Sequence, residues 1–236
     1  MGIAHEKMCC KGSPDFYVTT VDYHGVPASD LPDFDLSQYF YLSAINSPGD
    51  AMKSSRESRN RHLSVKALEN ILDSCKVELT QIDEVWPNLY IGNVAIAQDR
   101  SALQRMGITH VLNATHSKQG SLGNQSFYGK KIQYYGIAAE DSPEFDLSIY
   151  FKAAAQFIHK GLKKKDGKVL VHCILGMSRS ASLVLAYLML YHHLSLEDVI
   201  RKVIQTRAIY PNRSFLKQLL DLDIQLQSKL RMCRLL

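Results

Sequence analysis

Twelve consecutive residues constrain this chain more than any others: Val169-Leu170-Val171-His172-Cys173-Ile174-Leu175-Gly176-Met177-Ser178-Arg179-Ser180. The short apolar run from Lys168 to Val171 reads as a buried strand, and the stretch from Arg179 to Tyr191 reads as a helix. Between them lies a loop with a single glycine. Such a strand–loop–helix passage aims the loop's N–H groups at one point, and the helix N-terminus adds partial positive charge there. Gly176 permits the tight backbone course. The segment therefore reads as a cradle for a phosphate group.

A cysteine in that field ionises readily, because helix N-termini and nearby cations bring a thiol from about 8.5 down to roughly 3.5–7.5. The thiolate is then a nucleophile for phosphorus. Arg179 can hold two oxygens of a phosphoryl group through its planar fork, which Lys would not reproduce. The plain structural reading, a buried cysteine at a strand end with a surface arginine nearby, leaves the joint placement of His172, Cys173, Arg179 and Ser180 unexplained. Breaking a phosphate ester also requires a general acid, since an alkoxide or phenoxide leaves poorly unless protonated. The residues alone leave Glu140, Asp141, Glu144 and Asp146 as competitors, with Ser142 and Pro143 marking a turn among them.

The remaining pattern supplies a frame for that loop. Helical periodicity runs over Leu63 to Leu72, Ala95 to Met106 (stopping at Gly107), Leu147 to Leu162, and from Pro211 to about Leu230. Ser195 opens a further helix, with Asp198 as its capping-box partner. Strands are expected at Leu89 to Ile91, after the turn Trp86-Pro87-Asn88, at Ile108 to Leu112 and at Ile132 to Ile137. A glycine-bearing loop joins the last two. Strands alternating with helices predict an α/β fold, with a mostly parallel central sheet flanked by helices.

Composition narrows the function classes. The apolar share of 46% is enough for a real core. The longest apolar run, Leu183 to Tyr191, is nine residues, against about 20 for a membrane span. Its Met and Leu residues face the core by periodicity. The N-terminus carries no apolar signal-peptide stretch. A net charge of +5 favours acidic or phosphorylated partners and is too weak and too evenly spread for nucleic acid. Five cysteines (Cys9, Cys10, Cys75, Cys173 and Cys233) sit at irregular spacings without a CxxC pair. This fits a reducing cytoplasmic or nuclear setting and no structural zinc or disulfide framework.

Residues 46–66, rich in Ser, Arg and Lys, read as a solvated linker. Before it, residues 16–44 repeat residues 127–155 without a gap, identical at 14 of 29 positions, including Gly25 with Gly136, Asp30 with Asp141 and Pro32 with Pro143. The repeat occurs once and is flanked by unlike sequence, so it is no solenoid; it reads as a severed piece of a related domain. The domain organisation expected is an N-terminal extension over 1–62, a catalytic domain over 63–230 and a tail over 231–236.

The segment HCILGMSRS resembles the HCxxGxxRS signature of the cysteine-dependent protein phosphatases. The stretch from about Leu63 to Leu230 is similar to the atypical dual-specificity phosphatases, through EVWPNLYIG (84–92), GITHVLNATH (107–116), AEDSPEFDLSIYF (139–151), AYLMLYHHLSLEDVI (186–200) and PNRSFLKQLLDLD (211–223). The resemblance implies a parallel sheet flanked by helices, with the phosphate loop between strand and helix at the sheet's C-terminal edge. It implies Cys173 as nucleophile, Arg179 as the phosphate-binding arginine and Ile174, Leu175, Gly176, Met177 and Ser178 as the loop amides. Ser180 is implied as the hydroxyl that helps the thiolate leave, His172 as a supporting residue that tunes the cysteine, and Asp141 as the acid. Asp146 then reads as a helix N-terminal residue favoured by the dipole.

The implied activity is hydrolysis of phosphotyrosine and phosphoserine or phosphothreonine in proteins through a cysteinyl-phosphate intermediate, with no cofactor and no metal. A polyanionic lipid headgroup fits less well, because Ile174, Leu175 and Met177 bring no extra cation. The alternative class is a scaffold that binds phosphoproteins or kinases with little turnover; intact Cys173, Arg179 and Asp141 argue against it. Mitogen-activated kinases enter as partners at family level only, and a homodimer is compatible with the chain. His192-His193 reads as charge near a helix C-terminus rather than a metal site, and Lys163-Lys164-Lys165 as a solvated helix end rather than a docking patch. Gly2 and Cys9-Cys10 lack the full acylation pattern, since Glu6 stands where Ser or Thr is required.

Overall fold

The computed structural model describes residues 63–118 and 120–233. The repeated segment 16–44, the linker up to residue 62, Gly2, Cys9, Cys10 and residues 234–236 lie outside the described residues. The elements are α1 (Val65–Asp73), β1 (Ile82–Trp86), β2 (Leu89–Gly92), α2 (Val94–Gln98), α3 (Arg100–Met106), β3 (His110–Asn113), α4 (Gln125–Tyr128), β4 (Gln133–Gly136), α5 (Ser148–Leu162), β5 (Val169–His172), α6 (Arg179–His192), α7 (Leu196–Val203) and α8 (Arg213–Cys233).

The sheet has the order β1-β2-β5-β3-β4. Strands β2, β5, β3 and β4 run parallel, and only β1 is antiparallel to its neighbour β2. This is the mostly parallel α/β sheet expected from the alternating pattern. Alternation along each strand separates two cores, since successive side chains point to opposite faces. Leu89, Ile91, Leu112, Val169 and Val171 face the larger core with residues of α1 and α5–α8. Leu170 and Val111 face the smaller one with Ala97, Leu103, Ile108 and Tyr128 from the α2–α4 side. Strand β5, at the centre, is buried along its whole length.

Four local features depart from the sequence reading. The periodic stretch 95–106 is two helices, because Asp99 interrupts it: the Ala102 N–H donates to Asp99 Oδ1 at 2.8 Å, making Asp99 the N-cap of α3. Periodicity passes through such a break without registering it. The loop before β4 contains the one-turn helix α4, capped by Asn124 Oδ1, which accepts from the Phe127 N–H. The edge strand β1 leaves no clear signal in the sequence, because only Val85 in it is buried. Helix α8 runs past Leu230 to Cys233, so the expected tail begins as helix. Other signals are found where the sequence puts them. Ser195 caps α7 by accepting from Asp198 N–H at 3.1 Å. Asn88 takes φ +60° in the turn between β1 and β2, and Gly107 takes φ +73° at the end of α3.

Leu170 sits on the central strand with no exposed surface. Leu170→Ala is expected to lower unfolding stability by about 2–5 kcal/mol, measured by urea denaturation. A loss below about 0.5 kcal/mol, the surface-substitution range, would contradict its placement in a closed layer.

Candidate active site

Parallel strands β5 and β3 end on the same side of the sheet, and the residues that follow them meet there. Strand β5 delivers His172 and then Cys173, which is 1% exposed. The loop turns at Gly176, whose φ of +73° belongs to the glycine-favoured region. Space forbids a side chain as well: a Cβ at Gly176 would lie 2.5 Å from both Arg207 Nη2 and the Gly92 carbonyl oxygen.

All five carbonyls of the loop from Ile174 to Ser178 are tied by donors. The Val94 N–H holds Ile174 O at 2.9 Å, and the Tyr210 N–H holds Met177 O at 2.8 Å. Arg207 Nη2 holds Leu175 O at 3.2 Å and its Nε holds Gly176 O at 3.0 Å. Ser178 O accepts from the Ser182 N–H and the Ser182 hydroxyl, each at 2.8 Å. In a trans peptide the N–H points opposite to the C=O. Tying the carbonyls therefore turns the N–H groups of residues 175–179 the other way, towards the cysteine. One of these bonds is visible: the Gly176 N–H donates to Cys173 Sγ at 3.2 Å.

The sulfur also lies 3.3 Å from Ser180 Oγ. Burial pushes the Cys173 thiol up, but the Arg179 charge, the Ser180 hydroxyl and the Ser180 N–H outweigh it against a smaller opposing effect of Asp141. The net direction is down, favouring thiolate. His172 is buried, which holds it down to about 4 despite a bond to the Cys173 carbonyl that favours its charged form. It is neutral at neutral pH. Its Nδ1 is 3.4 Å from that carbonyl oxygen, and its Nε2 has no hydrogen-bond partner among the described residues.

Arg179 opens α6, and its charge acts on the Cys173 thiol. Its Nη1 donates to Thr115 Oγ1 at 3.2 Å and to Ala139 O at 3.3 Å. Nε stands 3.4 Å from Asp141 Oδ2, close enough for ion pairing, yet makes no hydrogen bond among the described residues. An orphaned, buried donor of this kind is what an equatorial phosphoryl oxygen would satisfy.

The four competing carboxylates are separated by their surroundings. Asp141 Oδ1 accepts from Ser178 Oγ at 2.8 Å and from Asn212 Nδ2 at 2.9 Å, which brings this carboxylate over the loop. Glu140 points outward into an ion pair with Lys118 at 2.7 Å, which holds its carboxyl below the usual range. Glu144 is exposed. Asp146 accepts from the Ser148 N–H and hydroxyl at 3.0 and 2.6 Å, as a residue serving the start of α5. Ser178, expected only as a loop amide, uses its hydroxyl to join Asp141 to Asn212, whose N–H donates to it at 3.1 Å. Asn212 in turn caps α8, its Oδ1 accepting from the Phe215 N–H at 2.9 Å. Asn212, Thr115 and Arg207 were not singled out from the sequence. Asn212 had left one signal, its place directly after Pro211 at the helix entry.

Features set aside in the sequence have local partners. His192 packs on Trp86, with ring centroids 4.5 Å apart, and its Nε2 is 3.2 Å from the Tyr187 hydroxyl. Lys163, Lys164 and Lys165 are exposed after α5. Among the described residues no helix is long and apolar enough to cross a membrane, and no group of three or more candidate metal ligands is present.

The chain is similar to known proteins. The family model described as "Dual specificity phosphatase, catalytic domain" matches residues 89–225, more than half of the chain. Dual specificity protein phosphatase 26 of Rattus norvegicus is 48% identical over 194 residues, covering 81% of this chain and 92% of that one. Its Homo sapiens counterpart is 52% identical over 168 residues, 71% of this chain and 79% of that one. Among solved structures, the human tyrosine phosphatase-like serine/threonine/tyrosine-interacting protein aligns with a TM-score of 0.54 and 30% identity, over 61% of this chain and 95% of that one. The matched residues contain the strand, the loop and the helix that enclose Cys173, and the chain belongs to the dual-specificity protein phosphatases of the cysteine-based protein-tyrosine phosphatase superfamily.

Proposed function

We propose that this phosphatase works through a cysteinyl-phosphate intermediate, with Cys173 as nucleophile and Asp141 as acid. The observation that carries the reading is the buried Cys173 Sγ facing the Gly176 N–H, with Arg179 and Ser180 beside it. The Cys173 thiolate attacks phosphorus while the bond from phosphorus to the substrate oxygen breaks, and Asp141 gives that oxygen its proton. The loop N–H groups turned towards the cysteine and the Arg179 fork hold the equatorial oxygens as charge develops on them. In the second step Asp141 takes a proton from water as the water oxygen attacks phosphorus. The P–S bond breaks, the Ser180 hydroxyl donates to the departing thiolate, and inorganic phosphate is released. His172, neutral and buried, supports the loop without touching substrate.

Phosphorylated proteins are the substrates of this family. Mitogen-activated kinases among them, and a cytoplasmic setting extending to the nucleus, are the finer proposal. It rests on the sequence resemblance and on the cysteine pattern. The scaffold alternative is weaker because a binding module has no need of an acid held over a low-lying thiol.

Cys173→Ser is expected to abolish turnover while oxyanion binding persists, since Arg179 and the amides remain. Near-parental release of phosphate from an aryl phosphate would overturn the assignment. On its acid side, kcat/KM of the parent enzyme is expected to fall as pH drops through the lowered thiol value, so that limb lies below the ordinary thiol range; an acid limb at the ordinary thiol value would contradict the electrostatics.

Asp141→Asn is expected to lower kcat by about 10²–10⁴, the range of general acid catalysis. The loss shrinks for substrates with acidic leaving groups, which need less protonation. Equal losses across a leaving-group series would exclude Asp141 as the acid.

Residues 1–62 are proposed to be dispensable for chemistry, because the repeat 16–44 carries no HCx5R segment of its own and about 30 residues are too few for an independent core. Full-length protein and a chain starting at Leu63 are expected to share one kcat/KM. A several-fold gain on truncation would show that the repeat inhibits the cleft, and failure of the shorter chain to fold would refute the proposal.

A further inference from the structure

Two of the five tied carbonyls accept from a residue outside the loop and outside the proposed chemistry. Arg207 follows α7 and has a fully buried side chain. A guanidinium presents five N–H donors in a rigid planar fork, and this one spends them on the far side of the loop from Cys173. Besides Leu175 O and Gly176 O, it reaches Thr80 O through Nη1 at 3.1 Å and Asp83 Oδ2 through the same atom at 2.5 Å. Burying such a charge costs several kcal/mol unless it is paired and hydrogen-bonded. Asp83, on the antiparallel edge strand β1, is the partner that makes this location tenable.

The consequence lies in the peptide planes. The peptide joining Leu175 to Gly176 carries Leu175 O on one side and the Gly176 N–H on the other; the next carries Gly176 O and the Met177 N–H. Every peptide in the described residues is trans, so gripping the two oxygens from behind points the two N–H groups forward. The Gly176 N–H meets Cys173 Sγ at 3.2 Å. Left ungripped, a glycine at φ +73° has the freedom to let either plane rotate. A Cβ there would collide with Arg207 Nη2, so glycine and arginine occupy one shared space.

Resting on the phosphatase reading above, we propose that Arg207, oriented by Asp83, is a positioning residue for phosphoryl transfer: it locks the two central peptide planes of the loop so that the Gly176 and Met177 amides face the sulfur and the phosphoryl oxygens. Its charge adds to the field at Cys173 without contact with substrate. Burial draws the guanidinium down, while Asp83 and the charge on Cys173 hold it up.

The test uses the full chain with Arg207→Met and Arg207→Lys. Far-UV circular dichroism and thermal melts check the fold. Three quantities are read: kcat/KM on an aryl phosphate, the inhibition constant of orthovanadate, and the pH midpoint for iodoacetamide alkylation of Cys173, followed by peptide mass mapping. Arg207→Met is expected to weaken orthovanadate at least tenfold and to raise the alkylation midpoint by about one unit, a tenfold change in thiolate fraction. Arg207→Lys returns a point charge without the fork, so the midpoint moves back towards the parent while orthovanadate stays weak. A folded Arg207→Met protein with orthovanadate affinity and midpoint both within twofold of the parent would overturn the proposal. If Arg207→Met does not fold, Arg207→Lys decides alone: weakened orthovanadate with a parental midpoint supports the positioning role, and parental orthovanadate affinity overturns it. Failure of the phosphatase reading itself would look different, since the parent would then release no phosphate or Cys173→Ser would retain turnover.

Discussion

The site depends on which way five carbonyl oxygens point. A loop of peptide dipoles has no intrinsic reason to turn its N–H groups inward, where they crowd one another and leave solvent. Here each carbonyl from Ile174 to Ser178 is held by a separate donor: the Val94 amide, two arms of Arg207, the Tyr210 amide and the first turn of α6. Those donors come from four places in the chain, so the converging amides are a product of the whole domain rather than of the loop. The domain's own contacts therefore hold the loop amides in one orientation, which is the condition for preorganised electrostatic stabilisation.

That arrangement makes a buried thiol chemically useful. Desolvation alone would keep Cys173 protonated, and the Arg179 charge and Ser180 donors reverse the balance. The same arginine is shared: its Nη1 is fixed by Thr115 and Ala139, and its Nε lies 3.4 Å from Asp141. Asp141 is in turn moored to Ser178 and Asn212. Cys173, Arg179 and Asp141 thus hang on one network joining the ends of β3 and β5 to the starts of α6 and α8. The mostly parallel sheet makes this economical, because parallel strands deliver their C-terminal residues to a common edge.

How much of this was legible in the sequence follows from distance along the chain. Cys173, Gly176, Arg179 and Ser180 lie within eight residues, and the chemistry of a strand–loop–helix cradle fixes their spacing, so the residues alone announce them. Asp141 was one of four carboxylates until a resemblance singled it out. Its selection depends on Asn212, 71 residues away, and no local pattern encodes that encounter. Arg207 and Asp83 meet across 124 residues and look like ordinary surface charges in sequence. The fold shows the same division. Buried strands such as β5 and caps such as Ser195 carry local signatures, whereas β1 fully buries only Val85, and the break at Asp99 leaves the helical period undisturbed.

The central claim is that the buried sulfur of Cys173 carries the phosphoryl group during turnover. Rapid acid quench of the full-length enzyme mixed with an aryl phosphate, followed by peptide mass mapping, tests it directly. One phosphoryl group on the peptide containing Cys173, forming and decaying at rates that account for steady-state turnover, is the expected result. Steady release of phosphate with no covalent phosphoenzyme at any time point, or with the label on another residue, would contradict it.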